Sequence, residues 1–404
     1  MLTPAQTLGG RIRRARQAQG LSLDDVVARL DRCVTKAALS KYELGKSMPG
    51  PTMLRKLGRI LGVPSSHFLG HPDQDVAQVS WVVHQRHLRL AKRRQQRIQA
   101  FAEQRAEAFL GLLRLLHPAE RPRFPSSRPV GSLEEAESAA LLLRKEWGLG
   151  SGPIERLVEH VEDSGTLIVG GPQAERFDAI SGRTESGFLV IVLDLSRPSN
   201  RLRLDLAHEL GHLLLDRAGS RPKEEEVLAQ RFAAAFLVPA EAARHELGRR
   251  RAHITREELE HLERKYGFSV QAWIRRARDV GIITETAYRQ WQLVFRAQAL
   301  NVQETATYAV EEEPRRFRLL CLQALAERLV DSAWVGRHCP ELVGHLAETK
   351  ASRIQQLLRL PLEQRQAILE ANAEHAAEDY GRDPEVREWL DFDDAMDEAG
   401  KDPP

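Results

Sequence analysis

The sequence predicts a mainly α protein with an all-α unit at its N-terminus, an α+β block in its middle and a helical extension behind it. Three observations predict this. At 404 residues the chain is too long for one compact core and suggests two or three domains. Short amphipathic helical patterns separated by turn residues fill residues 8 to 70. Apolar runs of β type occur only after a proline- and serine-rich linker, "ERPRFPSSRPVGS".

In the first unit, "LGGRIRRARQAQ", "SLDDVVARL", "TKAALSKYELG", "GPTMLRKLGRILG" and "SSHFLG" read as five short helices, the second opened by Ser22 as N-cap. Residues 81 to 117 continue as one long helical pattern that stops at Pro118. Its basic part, Arg86 to Arg97, reads as a solvent-facing helix or as an extension of phosphate contacts. From Ser132 two helices, "LEEAESAALLLRKEW" and "GPIERLVEHVEDSG", precede β-type runs in "GTLIVGG", "FDAISGRT" and "GFLVIVLDL". "SRPSNRLRLDLAHELGHLLLD" is then a helix begun at Ser199 or Asn200, and "EEEVLAQRFAAAFLVP" the next, ended by Pro239. Everything behind them reads as helical. The expected domains are 1–71, a long helix and linker over 72–131, 132–295, a helical extension over 296–339 and a helical, acidic tail over 340–404.

Cys33, Cys321 and Cys339 stand far apart with no CxxC pair, so neither a disulfide framework nor a cysteine zinc site is indicated, and a reducing cytoplasm fits. The longest apolar run falls far short of the ~20 residues that span a bilayer, so no membrane partner is expected. Net charge is +2, but it is unevenly placed. Residues 1 to 71 hold twelve Lys and Arg against four Asp and Glu, whereas residues 370 to 404 hold thirteen acids against three bases. The two ends should prefer different partners.

"LSLDDVVARLDRCVTKAALSKYELGKSMPGPTMLRKLGRILGVP" spaces two short helices as a helix-turn-helix, the second starting near Thr35 and suited to a major groove. It resembles the phage-repressor-like (XRE) helix-turn-helix family, on the run "LSKYELGKSMPGPTMLRKLGRILGV". The resemblance implies an operator of double-stranded DNA, with Lys36, Ala37, Ser40 and Lys41 at the exposed positions of the recognition helix. Thr35, Lys36, Ser40 and Lys41 can donate to base edges or phosphates, and Arg11, Arg14 and Lys46 are expected on phosphates. Such domains usually read two half-sites, so a homodimer is expected.

"LAHELGHLLLD" carries a different chemistry. Residues four apart share one helix face, so His208 and His212 can aim two imidazoles at one point, with Glu209 beside it to accept a proton from water. Two ligands do not complete a zinc site. Asp216 lies ~12 Å along the axis from His208 and cannot share an ion with it. On the next helix Glu226 continues the inward face of Ala229 and Ala233, whereas Glu224 and Glu225 point further towards solvent. "VIVLDLSRPSNRLRLDLAHELGHLLLD", "EEEVLAQRFAAAFLVPA" and "KYGFSVQAWIRRARDVGIIT" together resemble the ImmA/IrrE family of zinc metallopeptidases, over roughly residues 150 to 295. The resemblance implies a zincin-like α+β core with Zn2+ at His208, His212 and Glu226 and Glu209 as base. Gln230 departs from the family's usual Asn or Asp. Tyr266 and His245 are candidates for a donor to the developing oxyanion.

"EEEPRRFRLLCLQALAERLVDSAWVGRHC" resembles the helical extension of longer fused members of that family. The segment around Leu358, Leu362, Ile368 and Leu369, with its acidic end near Trp389 and Leu390, loosely resembles antitoxin tails. It reads as a solvated terminus or as a docking peptide for a basic partner. Taken together, the residues imply a DNA-binding transcriptional regulator whose zinc-dependent endopeptidase domain cleaves a regulatory protein, a repressor or a toxin-system partner. The alternative is a non-enzymatic repressor or antitoxin that binds its operator and a protein partner, its zincin fold serving sensing or docking.

Overall fold

The computed structural model describes residues 4–63, 65, 68, 79–82, 91–171, 177–216, 221–297, 308–342, 360–362 and 364–368. The chain divides into two units, Met1–Asp331 and Ser332–Pro404. In the second, a short helix Ser332–His338 places the rings of Trp334 and His338 4.4 Å apart. The acidic tail and most of the antitoxin-like segment lie outside the described residues. Among the described residues no helix is long and apolar enough to cross a membrane.

The first unit opens with four helices, α1 (Pro4–Ala18), α2 (Leu23–Arg29), α3 (Lys36–Glu43) and α4 (Pro51–Leu61). They close over a core of Ile12, Val26, Leu39, Leu57 and Leu61. Local chemistry sets their ends. Ser22 caps α2 through Asp25 in a reciprocal capping box, Thr35 caps α3, and α4 stops at Gly62 with φ +70°. Gly9 lets α1 lie against the end of α3, since a Cβ there would come within 2.3 Å of the Tyr42 carbonyl. The fifth expected helix falls largely outside the described residues.

Helix α5 (Lys92–Leu116) is shared by two layers. Its Glu107 faces Arg11 of α1 at 3.9 Å, and Phe109 meets Phe188 and Phe317 edge-on, each at 6.4 Å between centroids. The long helical pattern expected from residue 81 therefore begins later. Val79–Trp81 forms strand β1 instead, because it pairs with a sheet edge that local periodicity cannot reveal.

That sheet has the order β1, β4 (Ala179–Thr184), β5 (Leu189–Leu193), β3 (Leu167–Gly170). β3 and β5 are parallel, while β4 is antiparallel to both β5 and β1. The three apolar runs of the sequence are strands β3, β4 and β5. On β4 the Ser181 hydroxyl reaches Glu209 of helix α8 (Ser199–Leu214), and Trp81, opposite Gly182, reaches Glu103 of α5. Neighbouring strand residues face opposite sides, so α8 covers one face of the sheet and α5 the other. Helix α8 ends earlier than its sequence pattern, because Leu215 and Asp216 (β6) turn extended to pair with Arg128 and Pro129 (β2).

Helix α9 (Pro222–Leu237) packs on α8, and α6 (Leu133–Glu146) packs on α9, around Phe232, Ala233 and Phe236. Behind them come α10 (Ala240–Leu247), α11 (Arg256–Tyr266), α12 (Val270–Asp279), α13 (Glu285–Ala297) and α14 (Arg316–Ala326). Buried arginines tie these layers through carbonyls that have no regular partner. Arg144 donates to the Phe236 and Gly152 carbonyls, and Arg276 to the Val238 carbonyl and to Glu137. Burial lowers the Arg144 pKa to about 10, the cost of enclosing that cation.

Helix α7 (Leu157–Asp163) is capped from far away: Glu312 accepts the backbone N–H groups of Leu157 and Val158 and pairs with fully buried Arg203. At the other end of α7, Glu162 accepts the N–H groups of Arg315 and Arg316. Burial pushes the Glu162 carboxyl up from 4.5 to about 7, with these N–H groups and Arg316 opposing it. A carboxyl that holds its proton more tightly folded than unfolded favours folding most below its unfolded pKa. Stability should therefore fall as pH rises from 4.5 to about 7, by about 3 kcal/mol at most. Glu162→Gln is expected to flatten this limb in urea titrations at pH 5, 6 and 7.5, and an unchanged limb would assign it to other groups.

Candidate metal centre and helix-turn-helix face

The two histidines of "HELGH" lie one turn apart on α8, and their Nε2 atoms converge to 3.0 Å with the rings edge to face at 86°. Glu226, at the start of the second turn of α9, brings Oε2 to 3.3 Å from His208 Nε2 and Oε1 to 3.8 Å from His212 Nε2. Among the described residues, these three form the group whose ligand atoms all lie within 4.8 Å of one another. All are enclosed, the His212 side chain at 0% exposure and Glu226 at 12%.

The donor set fits a small divalent ion. Bonds of 2.0–2.1 Å at tetrahedral angles separate two ligands by about 3.3 Å, and the observed 3.0, 3.3 and 3.8 Å bracket that edge. One carboxylate and two imidazoles also suit zinc chemically, and three protein ligands leave a position open. Asp216 is exposed in β6. Glu224 belongs to the start of α9, where its carboxylate accepts the Arg221 N–H.

Gly211 explains how α9 comes so close. A Cβ there would sit 3.1 Å from the Phe232 ring and 3.2 Å from the Ala229 backbone. Mid-helix glycine costs about 1 kcal/mol relative to alanine, so the close crossing is what the residue serves. Gly211→Ala is expected to push α9 outwards and weaken metal binding about tenfold or more, read by competition with a chromogenic chelator. Unchanged affinity with raised stability would mean that helix propensity outweighs the crossing.

Glu209 is 3% exposed and accepts a hydrogen bond of 2.6 Å from fully buried Ser181. Sequence reasoning passed over Ser181, because nothing in "FDAISGRT" says which strand faces the histidine helix. It also passed over Asp205, 4% exposed and three residues before His208, which pairs with Arg197 at 3.0 Å and Arg201 at 3.8 Å. Burial raises the Asp205 carboxyl while the two arginines oppose the shift. Gln230, the position that departs from the family pattern, accepts from Arg275 on the exposed side of α9. Tyr266 is committed to Glu246 at 3.0 Å, and His245 is an exposed neighbour of the same carboxylate.

In the N-terminal unit, Thr35, Lys36, Ala37 and Lys41 are exposed on α3 with Ser40 partly so, and Lys46 is exposed just beyond. Thr35 Oγ1 accepts the Ala38 N–H, and Lys36 pairs with Asp24 at 2.7 Å across solvent-exposed surface. Arg11 requires correction. At 2% exposure beside Glu107 it is part of the α1–α5 contact and has no face for a phosphate. Arg14 is half-buried on the same side, with burial lowering its pKa and Glu107 and Glu103 opposing. Arg13 is the exposed cation of that turn. The basic segment resolves partly: Arg86 to Leu90 lie outside the described residues, and Arg93 donates to the Gly20 carbonyl and pairs with Asp25 at 3.0 Å.

Comparison with known families matches residues 12–68 to a helix-turn-helix model and residues 172–278 to a peptidase M78 model described as the IrrE N-terminal-like domain. The chain carries both domains, fused. The second match contains His208, His212, Glu209 and Glu226, and the first contains α2 and α3. No curated protein matches the chain. Among solved structures, the apo form of ComR from S. thermophilus is 13% identical, covers 85% of this chain and 100% of its own, and has a TM-score of 0.15. The helix-turn-helix and the IrrE N-terminal-like domain make the chain a DNA-binding protein with a peptidase-like domain, mainly α with an α+β core.

Proposed function

We propose that the chain is a transcriptional regulator that binds an operator through α3 and cleaves a regulatory protein, a repressor or toxin-system partner, with zinc held by His208, His212 and Glu226. The observation that carries this is the three-sided spacing of 3.0, 3.3 and 3.8 Å between the ligand atoms, close to the edges of a zinc tetrahedron. Zinc in that position supplies Lewis acidity towards water and towards a peptide carbonyl. Glu209 takes the proton of the attacking water and returns it to the leaving amine. Ser181 donates to Oε2 of Glu209 and so helps to hold the carboxylate in one orientation. Enclosure of all four side chains strengthens these interactions by excluding bulk water.

On α3, Lys41 and Ser40 are placed to donate to base edges, with Lys46 and Arg13 towards phosphates. The experiment is metal analysis of the purified full chain, with cleavage of proteins encoded beside it tested with and without chelator, and retardation of its own upstream DNA over a salt series. One zinc per chain, chelator-sensitive cleavage and a log–log salt slope of several units support the proposal. A metal-free chain that leaves every candidate intact sinks the peptidase half, and no retarded complex sinks the other.

A further inference from the structure

Strand β1 belongs to neither matched domain. It lies after residue 68, where the helix-turn-helix match ends, and before residue 172, where the peptidase-like match begins. Yet it pairs with the strand that holds Ser181. The register runs Val79 with Thr184, Ser80 with Arg183 and Trp81 with Gly182, and the Val82 N–H then donates to the Ser181 carbonyl at 2.9 Å. Val82 is thus directly opposite Ser181 and on the same face, the face that carries Glu209. It packs against the core of the peptidase-like domain. Gly182 admits the strand closely, since a Cβ would stand 2.6 Å from Val79 and 2.9 Å from the Ser80 carbonyl.

An extended peptide binds a sheet by adding to its free edge, with backbone hydrogen bonds supplying affinity. The edge of β4 is the one adjacent to Ser181 and its partner Glu209, and β1 covers it. With β1 in place, any strand added beyond it lies about 4.8 Å further from Ser181. Building on the peptidase reading above, we propose that Val79–Val82 occupies in cis the backbone edge that an extended segment of the protein substrate takes, so that substrate entry requires this strand to leave β4.

The anchor of the strand lies towards the DNA-binding half. Trp81 Nε1 donates to Glu103 of α5 at 2.9 Å, and Glu107, one turn on, faces Arg11 of α1. Arg93 of the same helix donates to the Gly20 carbonyl at the turn before α2. Removal of the anchor is therefore a way to free the edge without touching Glu209 or the ligands.

The test uses the full zinc-supplemented chain, Val82→Pro, which lacks the N–H to Ser181, and Trp81→Ala, which loses the bond to Glu103. The probe is a fluorescein-labelled peptide of residues 77–84, followed by polarisation, with hydrogen exchange at the Ser181 and Arg183 amides, which face β1, as the measure of strand release. The variants are expected to bind the peptide at least tenfold more tightly than wild type and to exchange those amides faster. Equal binding by wild type and both variants would overturn the proposal, as would unchanged exchange in both. Labelled casein, cleaved at least tenfold faster by the variants, extends the result to turnover. Peptide binding without cleavage by any form retires the peptidase reading and leaves the occupancy of the edge standing.

Discussion

His212→Ala is expected to abolish stoichiometric zinc binding. Its side chain is fully enclosed and its Nε2 lies 3.0 Å from His208 Nε2 and 3.8 Å from Glu226, and among the described residues no other His, Cys, Asp or Glu joins that group. With ~10 kcal/mol of zinc affinity shared among three side chains, loss of one removes about 3 kcal/mol, a factor of roughly 10² to 10³. The same change should appear in folding. Zinc at a thousand times its Kd adds about 4 kcal/mol to the native state, so chelator should lower the Tm of wild type by several degrees and leave the variant unmoved. Calorimetry with and without chelator checks this. Equal zinc content in His212→Ala and wild type would place the metal elsewhere.

Glu209→Gln should do the opposite: keep zinc and lose turnover. The amide oxygen of Gln still accepts from Ser181 at the position that Glu209 Oε2 occupies, so the packing of α8 on β4 is preserved. What disappears is the basic oxygen, and a positioned general base contributes about 10² to 10⁴ in rate. The readout is kcat on a cleaved substrate beside zinc content for the same preparation. Full activity with full zinc would remove Glu209 from the proton-transfer role, whereas joint loss of zinc and activity would make it a structural support of the centre.

Much of the candidate site is legible in the chain because it rests on helix geometry. Two histidines four residues apart share a face wherever a helix forms, and Glu226 follows the inward stripe of Ala229 and Ala233. The same holds for the Ser22 cap and the three apolar strands. Residues whose partners lie far along the chain were not legible. Ser181 meets Glu209 across 28 positions, and Glu312 caps α7 from 155 positions away. Arg11 looked like a phosphate ligand because a basic residue on a short helix is exposed by default, and only the arrival of α5 beside it reverses that.

The sequence by itself determined the periodicities, caps and ligand types: a helix-turn-helix, a histidine helix and an acidic partner for it on the next helix. Tertiary structure alone decided how near those helices lie, through the missing Cβ of Gly211, and which strand borders the centre, through the pairing of Val79–Trp81 with β4. The physical reason is range. Helix and turn preferences are settled within a few residues, whereas a sheet edge or a buried ion pair is chosen by whichever distant segment covers it at least cost in unpaired polar groups.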